Sequence, residues 1–269
     1  MADAEREAER TIAMSFLIRY ISDFLVGTGN ALFFLRDVLF CVVRGRIRWA
    51  EVLKQIYEQG VQSVVIIALA SFASGAVLAL QGYVMLNRFG AKEYVAQLVA
   101  LSLVRELSPV FGSFIFSGKA GARLAAELGT MNVNDQMLAT RTLGVDPVEF
   151  LVVPRMVACF LVLPGLIVFS ELVGIFGGYF IGIYDAHIPS ATYIHQTLRS
   201  IGYVDFFSGF FKTLFFGLLI GWVCCYQGFY TRGGSLGVGQ YTTKAVAFSY
   251  ILIVISNMIL TKLILTFWG

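Results

Sequence analysis

Histidine and cysteine are scarce in this chain, with two and four copies respectively in 269 residues. His187 and His195 share one polar stretch, and Cys41, Cys159, Cys224 and Cys225 all fall in apolar segments without metal-ligand spacing. The cysteines therefore read as small core or lipid-facing residues, and neither redox nor metal chemistry is expected. Charge is thin as well. Charged residues make up 14% of the chain, and the net charge of +3 is spread over loop segments rather than gathered in a run, which argues against nucleic acid as a partner. Catalytic signatures are missing: there is no GxSxG elbow, no HExxH and no cluster of intramembrane carboxylates with a histidine. Gly234 and Gly239 have the spacing of a phosphate loop, but Gln240 and Tyr241 stand where Lys and Ser or Thr are required. The chain is thus not expected to be an enzyme or to bind a cofactor of its own, and any nucleotide chemistry must come from another chain.

What the sequence has in abundance is apolar residues, 58% of the total, with a mean hydropathy of +0.77. Its apolar runs approach the roughly 20 residues that cross a bilayer as a helix. The expected fold is an all-α integral membrane protein. Residues 1–60 form the N-terminal part, in which Thr11 to Val43, broken by Arg19, Asp23, Arg36 and Asp37, reads as an amphipathic helix lying in the interface. Arg19 and Asp23 are spaced to pair on one helical face. This stretch fits neither a signal peptide nor a clean span. Residues 61–269 form the membrane domain, with five transmembrane helices expected at about 61–86, 94–116, 150–184, 206–230 and 245–267. Lys and Arg concentrate before the first span, between the second and third, and before the last. The rule that basic loops stay inside places the N-terminus and residues 117–149 in the cytoplasm and the C-terminus outside.

Within the spans, Gly174, Gly178 and Gly182 recur every four residues, as do Gly217 and Gly221, predicting faces where helix backbones touch. Pro109 and Pro164 fall inside spans and should bend them. Lys212 and Lys262 lie within or near span ends, where snorkelling to the interface is the expectation. Arg105 and Glu106 sit inside the second span, a costly place for charge unless each finds a partner or faces a wet cavity. Gln97, Leu101, Arg105, Ser108 and Gly112 share one helical stripe leading into Pro109. A guanidinium there can grip a lipid phosphate with two prongs. The other reading is a structural network between helices; sequence neighbours point about 100° apart, so each charge then needs its own partner. Gln81 and Tyr83, at the end of the first span, are candidates for the mouth of the same cavity, Tyr83 equally for an interfacial belt.

The polar stretch Ser102 to Arg155 is unusual in so apolar a chain and suits a surface read by a soluble partner. Its caps predict three helical pieces: Lys119 to Leu128 ending at Gly129, a short helix capped by Asn134 or Asp135 and closed by Gly144, and a third starting at Asp146-Pro147-Val148-Glu149. On the middle piece Met137, Leu138 and Leu143 offer an apolar edge beside Asp135, Gln136, Thr140 and Arg141, the mix of a helix seated in a partner's groove, or else of a solvated loop helix.

LALQGY, LVRELSPV, SGKAGARLAAELGTM, LGVDP and LVVPR together resemble the permease subunit of MlaE-type ABC lipid transporters, over most of the chain from about Gln59 onward. A departure is Lys119, where the family more often carries Arg. The resemblance implies a homodimeric, multi-pass inner-membrane permease working with a cytoplasmic ABC ATPase that binds ATP and Mg, and with a periplasmic MCE-domain protein. It implies phospholipid as the cargo, moved between the inner membrane and that carrier for outer-membrane lipid homeostasis, and a coupling helix at Asn134 to Leu143. The lipid pocket of the family lies between protomers. Two other classes stay open on the residues alone: a stand-alone secondary transporter or channel using Arg105, Glu106 and Glu171, and a membrane scaffold that binds the ATPase without carrying lipid.

Overall fold

The computed structural model describes residues 26–45 and 47–268 and divides the chain into two units, 1–46 and 47–269. The Arg19–Asp23 pair lies outside the described residues. Among the described residues of the first unit, one helix, α1 (Val26–Val43), carries an exposed Arg36–Asp37 ion pair at 3.0 Å.

The regular structure among the described residues of the second unit is all helical: α2 (Trp49–Asn87), α3 (Lys92–Val133), α4 (Gln136–Thr142), α5 (Val148–Tyr184), α6 (Ser190–Ser200), α7 (Tyr203–Phe229) and α8 (Gly234–Trp268). Six described helices are long and apolar enough to cross a membrane. Five of them contain or closely overlap the five expected spans, and the sixth is α1, which length and composition fit equally to a span or to the interface.

Close backbone approach organises the unit. A side chain added at Gly75 on α2 would collide with the backbone of Gly174 on α5, and one at Gly177 with that of Phe72, so α2 and α5 touch main chain to main chain. Gly217 stands in the same relation to Cys159 and Phe160, bringing α7 onto α5. These are the glycine faces that the four-residue spacing predicts, and a hydroxyl pair, Ser71 and Ser170 at 2.5 Å, lies beside the first of them. Such contacts gain dispersion energy and weak polar bonds where lipid offers no hydrophobic drive. The core around them includes Ile67, Phe116, Leu163, Ile167 and Phe216. Cys159, Cys224 and Cys225 are all buried in it or beside it, as small core residues.

Two expectations change. The piece Lys119 to Leu128 is not separate: α3 runs unbroken from the second span to Val133, passing a π-helical turn at Ser117–Gly121. Gly129 does not end it, because this glycine is a point of close approach, where a Cβ would come within 2.9 Å of Thr231 Oγ1. The helix stops instead at Asn134 and Asp135, the latter left-handed at φ 56°. Gly144, at φ 77°, closes α4 with its N–H on Arg141 O, and Asp146 Oδ1 accepts the Val148 N–H at 2.9 Å at the start of α5. Gly234 and Gly239 fall in the first turns of α8, so they form no loop that can wrap a phosphate.

Candidate functional site

Pro109 sits two residues beyond a π-helical turn, Leu103–Leu107, that contains Arg105 and Glu106. A proline has no N–H for the carbonyl four residues back, here that of Arg105. Lys212 from α7 supplies the missing donor, its Nζ lying 3.0 Å from Arg105 O. Gly209, one turn earlier on α7, makes this possible: a side chain there would strike the Val104 carbonyl.

The ammonium of Lys212 is 1% exposed and also donates to Glu106 Oε1 at 2.7 Å and to Thr261 Oγ1 at 2.8 Å. Thr261 in turn donates to Glu106 Oε1 (3.0 Å), and Asn257 Nδ2 donates to Glu106 Oε2 (2.8 Å), both from α8. The Lys212 charge is therefore paired and every N–H is used, which is the condition for a buried cation to be tolerated. Snorkelling is the wrong account of Lys212: its side chain points into the helix contact. The sequence did carry a signal, since Asp205 and Lys212 are two helical turns apart and so share one face of α7.

Arg105 has a different partner. Its Nε donates to Asp205 Oδ1 at 2.6 Å, while Asp205 Oδ2 accepts the Gly202 N–H at 3.0 Å and so starts α7. A residue placed to cap a helix thereby also holds the guanidinium. Arg105 stays half exposed, and neither of its terminal nitrogens has a hydrogen bond among the described residues.

These residues border two adjoining depressions. The larger, about 620 Å³, is open and lined by Glu106, Asn257, Thr261, Lys262 and apolar residues of α8; the narrower, about 130 Å³, is lined by Arg105, Glu106, Asp205, Ser208 and Lys212 among others. The structure thus brings Arg105 and Glu106 together with Asp205, Lys212, Asn257 and Thr261, four positions the sequence reading left out of the site. Gln97, Gln81 and Tyr83 line neither depression, and Tyr83 packs instead on the cluster of Val95, Val99 and Tyr193. Glu171 is buried on α5 away from both, with no hydrogen bond or ion pair among the described residues.

At the end of the bundle that bears α4, a second polar network joins three helices. Arg123 Nη2 pairs with Glu58 at 3.0 Å and its Nε with Glu127 at 2.6 Å, while Arg155 reaches Glu127 at 3.7 Å. Lys119 Nζ donates to Gln62 O. The residues of the SGKAGARLAAELGTM and LVVPR blocks thus tie α2, α3 and α5 beneath α4. On α4 itself Met137 is 4% exposed whereas Leu138 and Leu143 are 60% and 81% exposed. The apolar edge expected of three residues is two, because Met137 faces inward as the helix's anchor. Asp135, Gln136 and Arg141 are exposed with the two leucines, and Thr140 is half buried.

Residues 52–263 match the family described as Permease MlaE. A probable ABC transporter permease protein of Rickettsia typhi is 41% identical over 79% of this chain and 82% of its own length. The intermembrane phospholipid transport system permease protein MlaE of Haemophilus influenzae is 34% identical, over 93% of this chain and 96% of that one. The chloroplastic protein trigalactosyldiacylglycerol 1 of Arabidopsis thaliana is 33% identical, over 84% of this chain and 65% of that one.

Proposed function

Since the chain belongs to the MlaE permease family, we propose that it is the membrane subunit of an ABC transporter for phospholipid, with the polar cluster of α3, α7 and α8 as part of the lipid path. The observation that carries this reading is the half-exposed Arg105, fixed at Nε by Asp205 and left with two terminal nitrogens at the narrower depression, which adjoins an open one walled in part by apolar residues of α8. Two parallel N–H donors on one plane match two oxygens of a phosphate. The apolar residues of α8 that complete the wall suit acyl chains. Glu106 and Lys212 neutralise each other, as do Asp205 and Arg105, so the excess charge facing a ligand is that of Lys262, while Arg105 contributes the N–H donors of its free prongs.

Hydrolysis belongs to a partner in this reading, because this chain carries no complete phosphate-loop motif. α4 is the coupling helix, offering Leu138 and Leu143 to a groove on a cytoplasmic ATPase, and the Arg123–Glu127–Arg155 network below it passes displacement to α2, α3 and α5. A second copy of the chain closes the open depression, and a periplasmic MCE-domain protein receives or delivers the lipid. Basic loops place the N-terminus and α4 on the cytoplasmic side of the inner membrane. Outer-membrane lipid homeostasis is the role such a system serves.

Gentle purification of the tagged protein from its native membrane, with mass spectrometry of the proteins and lipids that accompany it, tests this. The expected result is a P-loop ATPase, an MCE-domain protein and bound phospholipid, with the lipid reduced severalfold in Arg105→Ala while the protein partners remain. Full lipid retention in Arg105→Ala would favour a scaffold, and a lone protein without an ATPase would favour a secondary transporter.

A further inference from the structure

One hydrogen-bonding atom beside the larger depression is left over. Asn257 gives its Nδ2 to Glu106 Oε2 at 2.8 Å, and this fixes the amide's orientation, since the reverse would set two acceptor oxygens against each other. Asn257 Oδ1 is consequently turned away from Glu106, is shielded, and has no partner among the described residues. An acceptor buried without a donor costs more than an ordinary hydrogen bond returns. Nearby donors are committed: Lys212 to Glu106, Thr261 and the Arg105 carbonyl, and Thr261 to Glu106. The polar rim therefore offers an anion two nitrogens of Arg105 and, separately, offers a donor one carbonyl oxygen of Asn257. A ligand that satisfies both carries a phosphate and also an N–H or O–H. Asn257 lines the larger depression, the side from which such a group approaches.

We infer that Asn257 is a specificity residue that reads the hydrogen-bond donor of a phospholipid headgroup, so that headgroups bearing N–H or O–H are held in preference to the fully methylated quaternary amine. The inference rests on the depression being the lipid site. Cation charge alone does not discriminate here, because a quaternary amine has the same charge and lacks only the donor.

The test is competition for lipid retained by the detergent-purified full chain with whatever subunits accompany it, read by mass spectrometry. Dioleoyl phosphatidylethanolamine, its N-methyl and N,N-dimethyl forms and phosphatidylcholine are offered in equal amounts, with phosphatidylglycerol as a separate arm. The three amines that keep an N–H should be retained alike, and retention should fall about tenfold at the last methylation, the order set by one unpaired buried acceptor. Asn257→Leu should abolish that step. Asn257→Thr, which keeps a hydroxyl donor for Glu106, should do the same and guards against a folding defect. Loss of phosphatidylglycerol retention in the same variants assigns the reading to hydroxyl as well as ammonium; its persistence assigns it to ammonium alone. A smooth decline along the methylation series, or a step that survives in both variants, overturns the inference while leaving the lipid site in place. Retention of every lipid unchanged by Arg105→Ala overturns the lipid site and the inference with it.

Discussion

Removing the Lys212 ammonium would leave Glu106 without its counter-charge and the proline-freed Arg105 carbonyl without its donor, and would take one of Thr261's two hydrogen bonds. Breaking a buried pair on one side costs about 3–5 kcal/mol, and the 40% exposure of the Glu106 side chain lets water return part of that. Lys212→Met should therefore lose about 1–3 kcal/mol, seen as a lower Tm in detergent, and adding Glu106→Gln should recover at least half, because the stranded charge is then gone. A double mutant no more stable than the single one would remove Glu106 as the partner that matters. The charged pair in the second span was legible in the sequence because ionisable residues there are expensive. Its partners were not, since Asp205, Lys212, Asn257 and Thr261 lie about a hundred residues or more away along the chain, and only packing can select which of the other polar residues meets it.

Among the elements, α4 shows how far local rules reach. Turn chemistry placed its ends well: a left-handed Asp135 before it, a left-handed Gly144 after it and Asp146 opening the next helix. Which side of it faces out was beyond those rules, because Met137 and Leu138 are equally apolar and the helix is too short for a period to declare itself. Their burial, 4% against 60% exposed, separates two roles. Leu138→Asp and Leu143→Asp should abolish co-purification of an ATPase with no change in Tm, whereas Met137→Ala should cost about 2 kcal/mol of stability, the low end for a truncated buried side chain at so short a helix, and so lower Tm. Equal effects on both measurements from all three would dissolve the distinction. Similarly, Gly129 looked like a helix end and is a contact with Thr231; a glycine that spares space and a glycine that breaks a helix are the same letter.

For the whole molecule, composition alone settled the all-α membrane class, and the glycine repeats marked the α5 and α7 faces that make close contacts without naming the helices they meet. Sidedness rests on basic residues in loops, which act on insertion and leave no mark in packing. Assembly is written in what stays uncovered. α8 carries a long apolar run, yet only 6% of its most apolar window is buried within the chain, and its Val254, Met258 and Leu265 stand exposed on the wall of the depression. If a second copy closes that wall, Met258→Cys in a background with the native cysteines replaced by alanine should cross-link chain to chain in membranes under mild oxidation, and Leu172→Cys on α5 should not. Absence of any cross-link along α8 would assign this face to lipid.

The bond from Lys212 to the Arg105 carbonyl also constrains the history open to this sequence. Proline at 109 and lysine at 212 complete one another across two helices: the first creates a vacancy in the ladder, the second fills it. A descendant that lost Lys212 first would pass through a state with an orphaned carbonyl and an unpaired Glu106. One that restored an N–H at 109 first would keep a working helix and merely loosen its hold on the lysine. Replacement of Pro109 is thus the permissive step, and change at this pair should proceed in that order.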